Sequence, residues 1–160
     1  MRIVLQTPVQ QPPEVVWAGF TRALFERLAP PFPPVELLRF DGSRPGDLVH
    51  VRLNFLLLRQ DWVSRITEQV TTDDEIYFVD EGERLPFFLR YWRHRHRLVC
   101  HGRGTLLIDD ITYRTPSRLT DYLLYPAMYA QFAYRRPVYR RVFGDGVPTY
   151  DSSSTGSGTS

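Results

Sequence analysis

Residues 86–113 read PFFLRYWRHRHRLVCHGRGTLLIDDITY, and this stretch decides the fold. Arginines at every second position alternate with a second set of side chains, namely Trp92, His94, His96 and Leu98. A period of two is typical of a β-strand with one solvated face and one apolar face. Gly102 and Arg103 then suit a two-residue hairpin turn, because glycine takes the first central position of such turns. The stretch therefore predicts a β-hairpin.

The turn fixes the register of this hairpin, since each residue before it acquires one partner after it. It places His96 opposite Asp109 on one face and Arg95 opposite Asp110 on the other. The other pairs on the first face are Trp92 with Tyr113 and Leu98 with Leu107. Polar groups on such an apolar face need a hydrogen-bond partner or a wet cavity. The hairpin therefore predicts an imidazole and a carboxylate on the dry side of a sheet.

The composition indicates a folded protein of one domain. The 160 residues are 42% hydrophobic and 14% aromatic, and the net charge of +2 is too small to indicate a nucleic acid as partner. Cys100 is the only cysteine, which excludes an internal disulfide and fits a reducing compartment. The apolar run at residues 3–5 is shorter than a signal-peptide core, and no stretch is long enough to span a membrane. We therefore expect a cytoplasmic protein without stable membrane insertion.

Hydrophobic periodicity divides the rest of the chain into strands and helices. Period-two segments predict strands at residues 2–7, 35–40, 48–57, 62–71 and 75–80, before the hairpin arms at 86–100 and 105–114. Helical spacing over 12–28 predicts two short helices separated near Gly19. Helical spacing returns over 119–143, where Pro126 and Pro137 predict a short first segment, a longer helix and a restart.

A second hairpin is expected where Arg59 and Gln60 reverse the chain. This turn pairs Leu53 with Ile66 and Val51 with Glu68, so that Trp62 and Glu68 face the dry side. Successive hairpins predict an antiparallel sheet of six or seven strands, whose apolar face has to be covered by the last helix. The resulting α+β domain comprises residues 1–144. Residues 145–160 are predicted to form a flexible tail rich in Ser, Gly and Thr.

An ordered set of residues carries a resemblance to a known superfamily: Val16, Trp17, Phe20, Leu28, Gly46, Asp47, Trp62, Ile66, Phe78, Asp80, Pro86, Phe87, Trp92, His94, His96, Gly104, Thr105, Asp109, Tyr113, Pro116, Phe132, Tyr134 and Arg135. The set resembles the SRPBCC superfamily, which includes START lipid-transfer domains, polyketide cyclases and birch-pollen allergens, and is most similar to its small bacterial members. The resemblance implies the helix-grip fold, in which a curved antiparallel sheet wraps around a long C-terminal helix and encloses a cavity. It does not imply one activity, because this fold hosts both carriers and enzymes.

The candidate ligand-binding residues are those that would line this cavity: Trp62, Glu68, Trp92, His94, His96, Asp109, Tyr113, Met128 and Phe132. His96 and Asp109 are also the candidates for catalysis, since a carboxylate bonded to one imidazole nitrogen makes the other nitrogen a better base. A hydrogen-bonded pair inside the sheet with no further role is the alternative. Neither a metal nor a cofactor is expected, because His94 and His96 have no third nitrogen or thiolate ligand at a suitable spacing.

Three functions are compatible with the sequence. The first is binding or carriage of a small hydrophobic, lipid-like or amphipathic molecule in the cavity. The second is a polyketide cyclase- or dehydratase-like enzyme with His96 as general base and Asp109 as its orienting group. The third is a structural or partner-binding domain without a ligand. An interior filled by side chains, with no room for a ligand, would indicate the third function. A His96→Ala variant should lose only some affinity if the protein is a binder, whereas an enzyme should lose turnover and largely keep binding.

Overall fold

A computed structural model describes residues 1–55 and 57–145, so the predicted tail beyond Asp145 lies outside the described residues. The strands within these residues are β1 (Arg2–Val9), β2 (Val35–Phe40), β3 (Leu48–Phe55), β4 (Leu58–Thr71), β5 (Glu75–Arg84), β6 (Tyr91–His101) and β7 (Gly104–Arg114). These seven antiparallel strands form one sheet in the order β1-β7-β6-β5-β4-β3-β2. Strands β2 to β6 each pair with the next strand in the chain, and β1 pairs with β7.

The β6–β7 hairpin has the register that the sequence predicted. Its Cα partners include His96 with Asp109, and the pairs on both faces agree with the prediction. Gly102 in the turn has a φ of 60°, a conformation that favours glycine. Side chains at even positions of β6 from Trp92 to Leu98 are buried, and the arginines between them are half-buried. The alternation in the sequence is therefore the alternation between the two faces of the sheet.

The β3–β4 hairpin turns earlier than the sequence predicted. Phe55 pairs with Leu58 and Val51 pairs with Trp62, so the predicted pairing of Val51 with Glu68 is wrong by six residues. The reversal falls within an apolar run, residues 55–58, which contains none of the residues that usually mark a turn. A shift by an even number of residues keeps each side chain on the same face of the sheet. The first half of β4, which includes Trp62, therefore still faces the interior as predicted.

A β-bulge in β4 makes the predicted inward orientation of Glu68 wrong. The pairing of β4 with β5 shifts between Ile66, which lies opposite Asp80, and Glu68, which lies opposite Val79. An extra residue in one strand turns the side chains that follow it to the other face. Glu68 therefore accepts a hydrogen bond from the Tyr77 hydroxyl on the outer face of the sheet.

Four helices occupy the described part of the chain: α1 (Pro13–Ala18), α2 (Arg22–Arg27), α3 (Arg118–Ala133) and α4 (Arg135–Phe143). The predicted break near Gly19 is confirmed. The predicted short segment before Pro126 is wrong, because α3 continues through this proline at the cost of one backbone hydrogen bond. The predicted restart is confirmed, and Pro137 lies in the first turn of α4, where a missing N–H is tolerated.

The helices cover the inner face of the curved sheet, as the predicted helix-grip fold requires. One buried cluster joins α1, α2 and α4 to the sheet through residues such as Val16, Leu98 and Phe143. Gly19 allows this close packing, since a Cβ atom there would lie 2.5 Å from the Phe143 ring. A second cluster joins α3 to β6 through Trp92 and Phe132. None of the helices in the described ranges has the length and apolar character needed to cross a membrane.

Candidate functional site

A pocket of about 880 Å³ lies between the inner face of the sheet and helix α3. Its walls are mainly apolar and include Val49, Val51, Leu53, Trp62, Met128 and Phe132. Phe32, Leu58 and Phe87 also line it and are 63%, 45% and 63% exposed, so they mark the side on which the pocket opens. Pockets of roughly 300–1,000 Å³ with such walls are typical of sites for small organic molecules.

Asp80, His94 and His96 form a polar patch on the pocket wall, and Asp109 lies behind the two imidazoles. His94 Nε2 is 2.9 Å from Asp109 Oδ1, and His96 Nε2 is 3.1 Å from Asp80 Oδ2. The other two nitrogens are farther away, with His94 Nδ1 3.5 Å from Asp80 Oδ2 and His96 Nδ1 3.5 Å from Asp109 Oδ1. Each imidazole therefore lies between the same two carboxylates.

The register of three neighbouring strands brings these four side chains together. Asp80 of β5 pairs with His94 of β6, and Asp109 of β7 pairs with His96 of β6. Trp92 Nε1 donates to Asp80 Oδ1 at 2.8 Å, which orients that carboxylate. The His96 ring stacks on Phe78, with centroids 4.2 Å apart and an interplanar angle of 8°. Packing in an apolar environment therefore holds the cluster in one arrangement.

Burial and mutual contact determine the protonation of the cluster. Burial lowers the pKa of His94 to about 4, and the charge on His96 adds to the decrease. Burial also acts to lower the pKa of His96, but its contacts with the Asp109 and Asp80 carboxylates outweigh it and raise this pKa above the ordinary value. Burial opposes ionisation of both carboxyls, yet the histidines hold the pKa of Asp80 and Asp109 below the usual range. Near pH 6 the cluster therefore holds two carboxylates, one imidazolium and one neutral imidazole.

Most of the predicted site residues meet at this pocket. Its lining includes Trp62, Trp92, His94, His96, Met128 and Phe132. Asp109 contacts both imidazoles from behind. Tyr113 is fully buried, and its hydroxyl donates to the Asp121 carbonyl at 2.9 Å rather than into the pocket. Glu68 lies on the outer face of the sheet with Tyr77. Tyr113 and Glu68 therefore do not line the pocket, although Tyr113 packs in one buried cluster with Trp92.

The predicted pair of His96 and Asp109 is correct as a cross-strand pair, but Asp109 makes its shorter hydrogen bond to His94. The hydrogen-bond partner of His96 is Asp80, which the sequence analysis did not include among the site residues. Asp80 continues the inward alternation of Ile76 and Phe78 along β5. The same kind of alternation identified His94 and His96 in β6. An assignment of the β5–β6 register, in which Asp80 pairs with His94, would therefore have identified Asp80 as a site residue.

Comparison with known proteins identifies the fold. No family model and no curated protein matches the chain. The protein Ms6760 from Mycobacterium smegmatis superposes with a TM-score of 0.63 at 16% identity, over 88% of this chain and 89% of that chain. The Zhui aromatase/cyclase from Streptomyces sp. R1128 gives 0.58 at 16% identity, over 92% and 99% of the two chains. The chain has the helix-grip fold of these structures.

A further structure, truncated norcoclaurine synthase from Thalictrum flavum, superposes with a TM-score of 0.61 at 11% identity, over 89% of this chain and 92% of that chain. The predicted superfamily resemblance is therefore confirmed at the level of the fold. Proteins of one fold carry out different functions, so the function has to be argued from the residues of this pocket.

Proposed function

We propose that the protein binds a small, mostly apolar molecule with one polar group in the pocket beneath α3. The observation that supports this proposal is the combination of a mainly apolar pocket of about 880 Å³ with a polar patch on its sheet wall, Asp80, His94 and His96. Apolar walls supply affinity at roughly 25 cal/mol for each Å² of apolar surface buried. A few convergent polar groups fix the orientation of the ligand.

The polar group of the ligand is proposed to be a hydrogen-bond donor, such as a phenol or an alcohol. Near pH 6, two carboxylates oppose one imidazolium in the cluster, so its net charge disfavours a carboxylate or a phosphate. Asp80 is the more exposed of the two acids, with 14% of its side chain accessible against 5% for Asp109. The ligand hydroxyl would therefore donate to Asp80.

Binding is tested with the neutral fluorescent probe N-phenyl-1-naphthylamine in buffer that contains EDTA. A Val51→Trp variant fills the pocket, because Val51 lines it, whereas Val4→Trp places the same ring on a strand residue that is 44% exposed. We expect wild type and Val4→Trp to bind the probe and Val51→Trp to lose at least about tenfold in affinity. Equal binding by the two variants, or no binding by wild type, would contradict the proposal.

The polar contact is tested with 1-naphthol and 1-methylnaphthalene, which differ mainly in the hydroxyl group. One net hydrogen bond is worth about 0.5–1.5 kcal/mol, which corresponds to roughly 2- to 10-fold tighter binding of the naphthol. An Asp80→Ala variant should bind the two compounds equally well. A preference that survives this substitution would place the hydroxyl elsewhere in the pocket.

A second candidate function is catalysis of proton abstraction, as in a cyclase- or dehydratase-like enzyme. The observation in its favour is a neutral imidazole, His94, on the pocket wall with Asp109 hydrogen-bonded behind it. For this second function we propose His94 as the base in place of His96, the sequence-based candidate. The test is hydrogen–deuterium exchange at the α-carbon of benzoylacetone, measured by NMR. An enzyme accelerates the exchange and loses the acceleration in His94→Gln with binding retained, whereas a binding protein gives the buffer rate.

A further inference from the structure

The arrangement of Asp80, His94 and His96 is that of a set of metal ligands. One nitrogen of each imidazole and one carboxylate oxygen lie within 4.8 Å of one another. Asp80 Oδ2 is 3.1 Å from His96 Nε2 and 3.5 Å from His94 Nδ1. Donor atoms bound tetrahedrally to one ion at about 2.1 Å are separated by about 3.4 Å. Both distances from Asp80 Oδ2 to the imidazole nitrogens are therefore close to the separation expected for ligands of a single ion.

Groups behind these three residues support the same role. With the ion bound at His94 Nδ1 and His96 Nε2, the remaining nitrogens carry protons and face Asp109 Oδ1 at 2.9 and 3.5 Å. A carboxylate that accepts from the second nitrogen of a ligating histidine is the usual way in which the ring of such a ligand is oriented. Trp92 holds the third ligand by donating to the other oxygen of Asp80.

The charges in the cluster also favour a cation. Asp80 is half-buried and Asp109 is buried, and within residues 1–55 and 57–145 their ion-pair partners are His94 and His96, with no arginine among them. A histidine must be neutral to ligate a metal, so two imidazole ligands would leave both carboxylate charges in need of compensation. A divalent ion next to Asp80 would supply it.

We propose that Asp80, His94 and His96 bind one divalent transition-metal ion on the wall of the pocket. Two imidazoles and one carboxylate form a donor set that suits Zn²⁺ or Fe²⁺. Three protein ligands leave at least one coordination position, and this position faces the pocket because all three residues line it. Water or an oxygen atom of the organic ligand would occupy it. The ion site itself does not depend on the proposed organic ligand.

The test measures metal binding to the full chain without any organic ligand. Protein that has been freed of metal with EDTA and then desalted is titrated with Zn²⁺ by calorimetry and with Co²⁺ by visible absorption. We expect one equivalent per chain and a Co²⁺ spectrum typical of four or five ligands. His96→Gln should lose more than 100-fold in Zn²⁺ affinity, and Asp109→Asn should lose about 10- to 100-fold, as expected for a group that orients ligands. His101→Gln, at an exposed position outside the pocket, is the matched control and should bind as wild type does.

A second measurement on unmodified protein covers the case in which a variant fails to fold. The chain has four histidines, and Zn²⁺ should shift the NMR signals of the His94 and His96 rings while it leaves those of His50 and His101 in place. Absence of Zn²⁺ binding by wild type would overturn the proposal. Equal losses in His96→Gln and His101→Gln, or shifts confined to His50 and His101, would also overturn it, since they indicate chelation at the surface. Probe binding in EDTA is measured separately, so failure of the metal site and failure of the pocket are distinguished.

Discussion

An Asp109→Asn substitution removes one negative charge from behind the two imidazoles, while Asp110→Asn removes the same charge from the adjacent position on the outer face. Asp109 is 4% exposed and lies 2.9 Å from His94 Nε2, whereas Asp110 pairs with Arg2, whose side chain is 66% exposed. The two variants therefore change the same kind of side chain in one strand and differ in the environment.

The expected magnitude follows from these environments. A hydrogen bond to a charged group is worth about 1.5–3 kcal/mol, so Asp109→Asn should lower the free energy of unfolding by about 2 kcal/mol. For a domain of this size, that loss lowers Tm by roughly 4–8 °C. An ion pair at the surface contributes little, because solvent and salt screen it, so Asp110→Asn should keep a Tm close to that of wild type.

Thermal and urea unfolding, followed by circular dichroism at pH 6 in EDTA, measure both variants against wild type. EDTA removes any contribution of a bound metal, so the comparison reports the hydrogen bonds of the protein itself. Equal shifts in Tm for the two variants would show that the cluster around Asp109 does not stabilise the fold. A larger effect of Asp110→Asn would refute the assignment of the two faces.

Three further predictions concern stability and binding. His94 is protonated below about pH 6.5 in the unfolded chain but only near pH 4 in the folded protein. The free energy of unfolding should therefore decrease as the pH is lowered from about 6.5 to about 4, by at most about 1.4 kcal/mol per pH unit. Urea titrations should show that His94→Gln removes this decrease. Tyr113→Phe loses the hydrogen bond to Asp121, so it should lower the unfolding free energy by about 1 kcal/mol and leave probe affinity unchanged; weaker probe binding would instead place its hydroxyl at the pocket. Gly104→Ala puts a Cβ atom 2.2 Å from the Val9 carbonyl oxygen, so it should lower the free energy of unfolding by about 1–3 kcal/mol and thereby lower Tm. An unchanged Tm would contradict the close contact between these strands.

Local sequence signals were sufficient for the hairpin of β6 and β7. The alternation from Trp92 to Leu98 and the glycine at 102 together defined one register with complementary partners, and the structure has that register. The fold followed from the same kind of signal, repeated over successive strands and completed by an amphipathic C-terminal segment. Such features are encoded by neighbours in the chain, which is why they can be derived without coordinates.

The errors arose where the structure depends on contacts between strands. The turn before Leu58 lies in an apolar run without turn residues, so the sequence favoured a later reversal at Arg59. The bulge that turns Glu68 outward depends on the pairing of β4 with β5, and no residue type marks it. Asp80 was not recognised as a partner of His96, because the cluster forms across three strands and only their combined register brings it together.

The most direct test of ligand binding in the pocket uses the indole N–H signals of the three tryptophans in a ¹H–¹⁵N NMR titration with 1-naphthol. Trp62 and Trp92 line the pocket and lie edge to face with centroids 4.7 Å apart, whereas Trp17 is not part of the lining. A ligand in the pocket should shift the Trp62 and Trp92 signals with one common Kd, and Val51→Trp should abolish both shifts. Saturable binding that leaves these two signals unchanged, or no binding at all, would contradict the proposed function.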